Sequence, residues 1–233
     1  MSALAAHSIL ARVPLFSGLG EPQLAAVLEL GVKRRVPLGT LLFLENAPAS
    51  TLYVLLDGRV RVTRDATGGQ IVVLHFADPG DVLGCAILGG ARCYPGSAEV
   101  VDEAVMLAFD ERAIAALVER FPLVSRNALR MLSGRMEDLR VRLRELATEK
   151  VERRVASALL RLAARAEADS KRPELRMSRQ DLAELVGATQ YTVSRIVAAW
   201  EKDGWVETGR QRIRVVDAEA LRSVEHGERE AVT

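Results

Sequence analysis

The sequence has few of the residues that metal and redox chemistry usually draw on. Its 233 residues include two cysteines, Cys85 and Cys93, and three scattered histidines, His7, His75 and His226. Two cysteines build no disulfide framework, and an iron–sulfur cluster needs four ligands. Three scattered histidines do not supply the His and Glu cluster of a metal-binding cupin. There is no apolar run of about 18 residues, so no membrane-spanning helix is expected. The start, MSALAAHSIL, has neither a basic stretch nor a cleavable apolar core. No export signal is therefore read, and a reducing cytoplasm is the expected location. No P-loop, nucleophile elbow or dinucleotide-binding glycine pattern is present, which argues against an enzyme. The formal net charge is only +1, so any nucleic-acid binding must come from local clustering.

What is present is an ordinary globular composition, 49% apolar and 27% charged, with room for two domains. The most informative stretch is Ser178 to Trp200, SRQDLAELVGATQYTVSRIVAAW. Ser178 with Asp181 makes a capping-box-like helix start. Leu182, Leu185 and Val186 form an apolar stripe, Ala183 is small where a second helix must cross, and Gly187 suits a turn with positive φ. Thr189 can cap a second helix whose Val193, Ile196, Val197 and Trp200 face inward. That leaves Gln190, Tyr191, Ser194 and Arg195 on the outer face, the arrangement of a helix-turn-helix aimed at a major groove. Two packed helices of an all-α subdomain would explain the stripe but not these clustered polar side chains. Between Lys171 and Arg214 nine Lys or Arg face six Asp or Glu, a local surplus of three. Beyond it, Val206 and Val215-Val216 flank a two-stranded wing on which Arg210, Arg212 and Arg214 alternate, giving a basic face for the phosphate backbone. A last helix opens at Asp217.

Upstream, residues 4–30 read as helical around Pro14 and Pro22. From Val32 short runs of alternating apolar residues predict strands, with Asp57-Gly58 and Gly68-Gly69 as hairpin turns and Pro79-Gly80-Asp81 closing the next strand. A strand over Val100–Phe109 leads to Asp110, which caps a helix over 111–120, and Pro122 ends it. Many short strands between turns predict a closed β-roll. The next helix, about 123–147, carries Leu129, Leu132, Met136, Leu139, Leu143 and Leu146 at spacings 3, 4, 3, 4, 3. Such an a/d seam predicts a parallel dimer, whereas a helix packed only on its own chain would show a wider stripe. Two recognition helices related by a two-fold axis would read a palindromic site. A helix over 150–167 and a polar connection to Pro173 lead back to the helix-turn-helix.

The chain thus reads as α+β, with a sensor roll over 1–120, a dimerisation helix over 121–149 and a winged helix-turn-helix over 150–233. It resembles the family of the cyclic-AMP receptor protein and the fumarate-nitrate regulator over nearly its whole length. The resemblance rests on LFSGL (15–19), LYVLLDGRVRV (52–62) and PGDVLG (79–84), then SRQDLAELVG, TVSR (192–195) and GWVE (204–207). It implies a homodimeric bacterial transcription factor, with double-stranded DNA and RNA polymerase as partners. An effector between the roll and the long helix would shift the DNA-binding domains between two arrangements. The resemblance also implies that Ser178, Arg179, Gln180, Thr189 and Thr192, with Arg210 and Arg212, meet the DNA backbone. Gln190, Tyr191, Ser194 and Arg195 would face bases, Arg195 suiting guanine O6 and N7. Tyr191 departs from the family's usual Glu, so the usual half-site does not carry over.

In the sensor half the resemblance implies an effector pocket from Gly84, Cys85, Ala86, Gly96, Ser97, Ala98, Arg135 and Leu139. Cyclic-AMP binders of the family place a Glu after the first glycine and an Arg before Ser-Ala. Here those slots hold Cys85 and Gly96, so a cyclic phosphate would lack its cation and cyclic AMP in the usual pose is not expected. The Gly96 amide region offers an anion cradle instead. A haem-based or nitric-oxide-responsive sensor stays open, with His75, Cys85 and His7 as candidate axial ligands. Cys85 with Cys93 as a redox pair, and a ligand-free factor set by its own abundance, stay open too. A cyclic-nucleotide module serving a kinase or channel would leave Ser178–Arg214 unexplained.

Overall fold

The computed structural model describes residues 3–65, 71–166 and 174–227. The chain divides into two compact units, Met1–Asp138 and Leu139–Thr233. In the first, α1 (Ala3–Leu10), a 3₁₀ turn (Pro14–Phe16) and α2 (Glu21–Leu30) precede six strands. These are β1 (Val32–Val36), β2 (Leu41–Phe43), β3 (Thr51–Asp65), β4 (Ile71–Ala77), β5 (Val82–Leu83) and β6 (Ser97–Asp110). They form one antiparallel sheet in the order β1-β6-β3-β4, with β2 on β6 and β5 on β3.

Alternation along β3 builds two cores at once, because successive side chains point to opposite faces. Leu52, Val54 and Leu56 join a cluster with Leu10, Leu15, Phe16, Phe109, Leu117 and Val124, where the helices cover the roll. Tyr53, Leu55, Val60 and Val62 face the other way, packing with Ala98, Val100 and Met106.

One expected turn is corrected. Asp57-Gly58 does not make a hairpin: β3 runs through it unbroken, and its register against β6 shifts around Asp57 and Arg59. Gly58 takes φ +85°, and a Cβ there would lie 2.3 Å from the Glu103 carbonyl oxygen. The Asp-Gly pair therefore serves a bulge that bends the strand, a use of the same conformational freedom that sequence cannot tell from a tight turn. The other expected turn, Gly68-Gly69, lies outside the described residues.

Asp110 caps α3 (Glu111–Arg120) by accepting from the Ala113 N–H at 2.8 Å, as its position suggested. The long helix α4 runs from Pro122 to Thr148, and the division between the two units falls inside it. Leu129, Met136, Leu139, Leu143 and Leu146 are all exposed, Leu143 by 70%, whereas Leu132 is partly buried against the helix-covered cluster.

The second unit continues with α5 (Val151–Ala166), β7 (Glu174–Leu175), α6 (Arg179–Val186) and α7 (Gln190–Lys202). It ends with β8 (Val206–Gly209), β9 (Arg212–Val215) and α8 (Ala218–His226), and its sheet has the order β7-β9-β8. Val155, Leu159, Leu182, Val197, Trp200 and Leu221 are among its fully covered side chains. Asp217 caps α8 through the Ala220 N–H at 2.9 Å.

Candidate nucleic-acid interface

Local capping fixes where the two central helices begin. The Ser178 hydroxyl accepts from the Asp181 N–H at 3.0 Å, and the Asp181 carboxylate accepts from the Ser178 N–H at 2.8 Å. This reciprocal box satisfies donors that the first turn of α6 would leave unpaired. Gly187 ends the helix at φ +63°, and the Gly187 and Ala188 N–H groups both reach the Ala183 carbonyl. Thr189 starts α7 by accepting from the Thr192 N–H at 3.2 Å, and the Thr189 and Thr192 hydroxyls are 2.9 Å apart.

Once α7 begins there, helical geometry decides the rest. Val193, Val197 and Trp200 are buried, Ile196 is half-buried, and Gln190, Tyr191 and Arg195 stand in solvent. Ser194 is half-buried beside them. Tyr191 is 77% exposed, a large aromatic ring with no role in the fold. The four expected base-facing residues thus lie within the first two turns of one helix.

The flanking residues are more engaged than the sequence suggested. Arg179 donates to the Thr208 hydroxyl at 3.0 Å and lies 3.4 Å from the Glu201 carboxylate. Glu201 in turn accepts from the Thr208 hydroxyl at 2.7 Å and its N–H at 2.9 Å. Those two hydrogen bonds, with help from the Arg179 charge, hold its carboxyl below the usual glutamate range. Gln180 donates to Glu184 at 2.7 Å.

On the wing, the expected alternating basic face is only partly there. Arg210 sits exposed in the turn between β8 and β9. Arg214 is held by Glu207 at 2.9 Å and by Glu174 at 3.0 Å, and Arg212 lies 3.7 Å from Glu174. The cause is β7, a strand the sequence did not announce, which pairs Glu174 directly with Arg214. A two-residue strand carries too little alternation to read, and its partner lies 40 residues away.

The sensor residues fall into two groups. Gly84, Cys85 and Ala86 lie where β5 enters a 3₁₀ turn (Cys85–Gly89), and Arg135 of α4 reaches them. Its guanidinium donates to the Cys85 sulfur at 3.3 Å and to the Val82 carbonyl at 2.9 Å. Gly96, Ser97 and Ala98 open β6. At Gly96, the expected anion cradle, the backbone is closely packed on its Cα side. A Cβ there would lie 2.6 Å from the Thr63 carbonyl oxygen, and the Ser97 hydroxyl already accepts from the Glu45 N–H at 2.9 Å. Backbone packed against backbone leaves no room for a side chain at that point. Leu139 is exposed and begins the second unit.

The candidate haem ligands lie on three different elements. His7 is on α1, His75 on β4 opposite Val62, and Cys85 is buried in an apolar cluster with its sulfur engaged by Arg135. Among the described residues no group of three or more His, Cys, Asp or Glu stands ready to hold a metal ion. Cys85, buried with its sulfur engaged, is a poor axial ligand for a haem, which needs a donor open to the iron. Cys93 is exposed and Cys85 buried, and neither is disulfide-bonded.

A β-roll followed by a long helix and a winged helix-turn-helix is the build of a regulator that joins a sensor to a DNA reader. Comparison with known proteins narrows that class. Residues 33–121 match the cyclic nucleotide-binding domain, and residues 153–224 match the Crp-like helix-turn-helix domain. The chain is 30% identical to the cyclic AMP receptor protein of Thermus thermophilus, over 92% of this chain and 97% of that one. It is 28% identical to a CRP-like cAMP-activated global transcriptional regulator of Mycobacterium tuberculosis, over 91% and 96%. The structure of FixK2 from Bradyrhizobium japonicum shares the fold, with a TM-score of 0.75 at 22% identity, covering 84% of this chain and 97% of that one. The chain belongs to the Crp/Fnr family and is a DNA-binding transcription regulator rather than an enzyme.

Proposed function

We propose that the protein acts as a homodimer that reads a palindromic DNA site with α7 of each copy. The observation that carries this is the division of α7: Val193, Val197 and Trp200 anchor it, while Gln190, Tyr191 and Arg195 project into solvent from its first turns. Arg195 suits a bidentate contact to guanine, Gln190 an adenine edge, and Tyr191 a thymine methyl with Ser194 beside it. Ser178, Arg179, Gln180, Thr189 and Thr192 would meet the phosphates that flank the reading helix, with Arg210 and Arg212 on the wing. The dimer rests on the exposed seam of α4, since five large apolar side chains left in water are costly unless a partner covers them.

The first unit would house the control. The Thermus and Mycobacterium relatives are named for cyclic AMP, yet Gly96 and Cys85 hold the slots where this chemistry wants a cation and an acid. Cyclic AMP in the family's usual pose is therefore not part of this reading. A cytoplasmic protein working with RNA polymerase completes it.

Selection of bound duplexes from a randomised pool tests the proposal. The expected outcome is an inverted repeat whose half-site centres lie about one helical turn, roughly 34 Å, apart. A single asymmetric site, or enrichment of no sequence, would overturn it.

A further inference from the structure

Of the four side chains on the reading face of α7, Tyr191 is the one that is large and mostly apolar. It is also the most exposed of the large hydrophobic residues described. No described residue shares a hydrogen bond or ring contact with its side chain. A single exposed aromatic is ordinary on a protein surface. This one, however, stands between Gln190 and Arg195 in the first turns of a helix whose start Thr189 fixes by capping.

The major groove offers such a ring one apolar feature, the C5 methyl group of thymine. Cytosine has only hydrogen at C5 and presents an amino donor instead. None of Gln190, Tyr191, Ser194 and Arg195 is a carboxylate, the group best suited to accept from that amino. The face therefore carries a partner for a methyl group and lacks the strongest one for bare cytosine. A methyl on C5 of cytosine restores the apolar surface while leaving the base pair unchanged, so the ring meets it as it meets thymine.

Tyr191 and Arg195 stand at i and i+4, which puts their Cβ atoms about 5–6 Å apart. That is less than two base-pair steps of about 3.4 Å. With Arg195 on a guanine, the ring lies within one or two base pairs of it.

We propose that Tyr191 reads the C5 methyl group of a pyrimidine, so that one position of each half-site takes thymine or 5-methylcytosine and rejects unmethylated cytosine. The inference rests on α7 being the reading helix. Methylation of a cytosine at that position converts a poor site into a good one.

Fluorescence anisotropy of the full-length protein at fixed salt tests it, on duplexes altered at one base pair of one half-site. The position is the pyrimidine whose enrichment is lost when duplexes are selected with Tyr191→Ala. Two pairs isolate the methyl group: thymine against uracil opposite adenine, and 5-methylcytosine against cytosine opposite guanine. Loss of the methyl should weaken binding roughly fourfold in both pairs, the value of burying one methyl-sized group. Tyr191→Phe keeps the ring and should keep both ratios whatever its overall affinity, whereas Tyr191→Ala should bring both close to one. Tyr191 is exposed, so the fold tolerates both changes. Ratios near one in the parent, ratios lost in Tyr191→Phe, or ratios kept in Tyr191→Ala would each overturn the inference. Arg195→Ala separates the two failures. If it weakens specific binding while the parent ignores the methyl, only this inference falls; if no duplex is bound specifically, the reading of α7 falls with it.

Discussion

Glu145, 7% exposed near the end of α4, accepts two hydrogen bonds from the Arg161 guanidinium of α5, at 2.5 Å on Oε1 and 3.2 Å on Oε2. The pair fastens the last turns of the long helix to the body of the DNA-binding unit. The neighbouring seam residue, Leu146, reaches the turn between α6 and α7, where its Cδ2 lies 3.0 Å from the place a Gly187 Cβ would take. One end of the proposed dimer seam and the turn that sets the reading helix are therefore in contact within one unit.

Removing one member of that pair leaves the other unsatisfied. Arg161→Ala strands a buried carboxylate and should cost about 1–3 kcal/mol, less than a fully buried pair because the Arg161 side chain is 40% exposed. Urea unfolding of the full chain measures it. The Glu145→Gln, Arg161→Ala double variant should lose less than the sum of the two singles, and strict additivity would contradict the pairing.

The seam makes a different kind of prediction, because its Leu143 is 70% exposed. Leu143→Glu should convert dimer to monomer in sedimentation equilibrium while leaving the unfolding of each chain within about 0.5 kcal/mol of the parent. A dimer of unchanged affinity would show that α4 does not pair through this face.

Acid acts on the link between α7 and the wing. The Glu201 carboxyl is held low by the Thr208 hydroxyl and N–H and by Arg179. Its folded value lies below its unfolded one of about 4.3, so its contribution is complete above that pH and lost as pH falls through the folded value. The stability gap between the parent and Glu201→Gln, followed by thermal unfolding, should be constant from pH 8 to about pH 5 and shrink below it. A gap that persists undiminished to about pH 3 would contradict the assignment.

Local chemistry was the legible part of this protein. Ser178 with Asp181, Thr189, Asp110 and Asp217 each act on a backbone N–H three residues on, so helix starts could be read from neighbours alone. The apolar spacing of α4 and α7 was legible for the same reason. Pairings across the sheet were not. Asp57-Gly58 reads alike as a turn or a bulge, and only the register of β3 against β6 decides. Arg214 looked available for phosphate until β7 brought Glu174 beside it. Arg135 was expected at a pocket by resemblance, but its bonds to Cys85 and Val82 depend on residues about 50 positions away.

The most direct test of the account is the affinity of Arg195→Ala for the selected duplex, measured by fluorescence anisotropy at fixed salt beside a scrambled duplex. Arg195 is exposed and takes no part in the core, so the variant should remain a folded dimer. The account predicts a loss of about 1–3 kcal/mol in specific binding, with discrimination relaxed at one guanine position and scrambled-duplex binding lowered far less. Full retention of specific affinity and discrimination would mean that α7 does not read the bases.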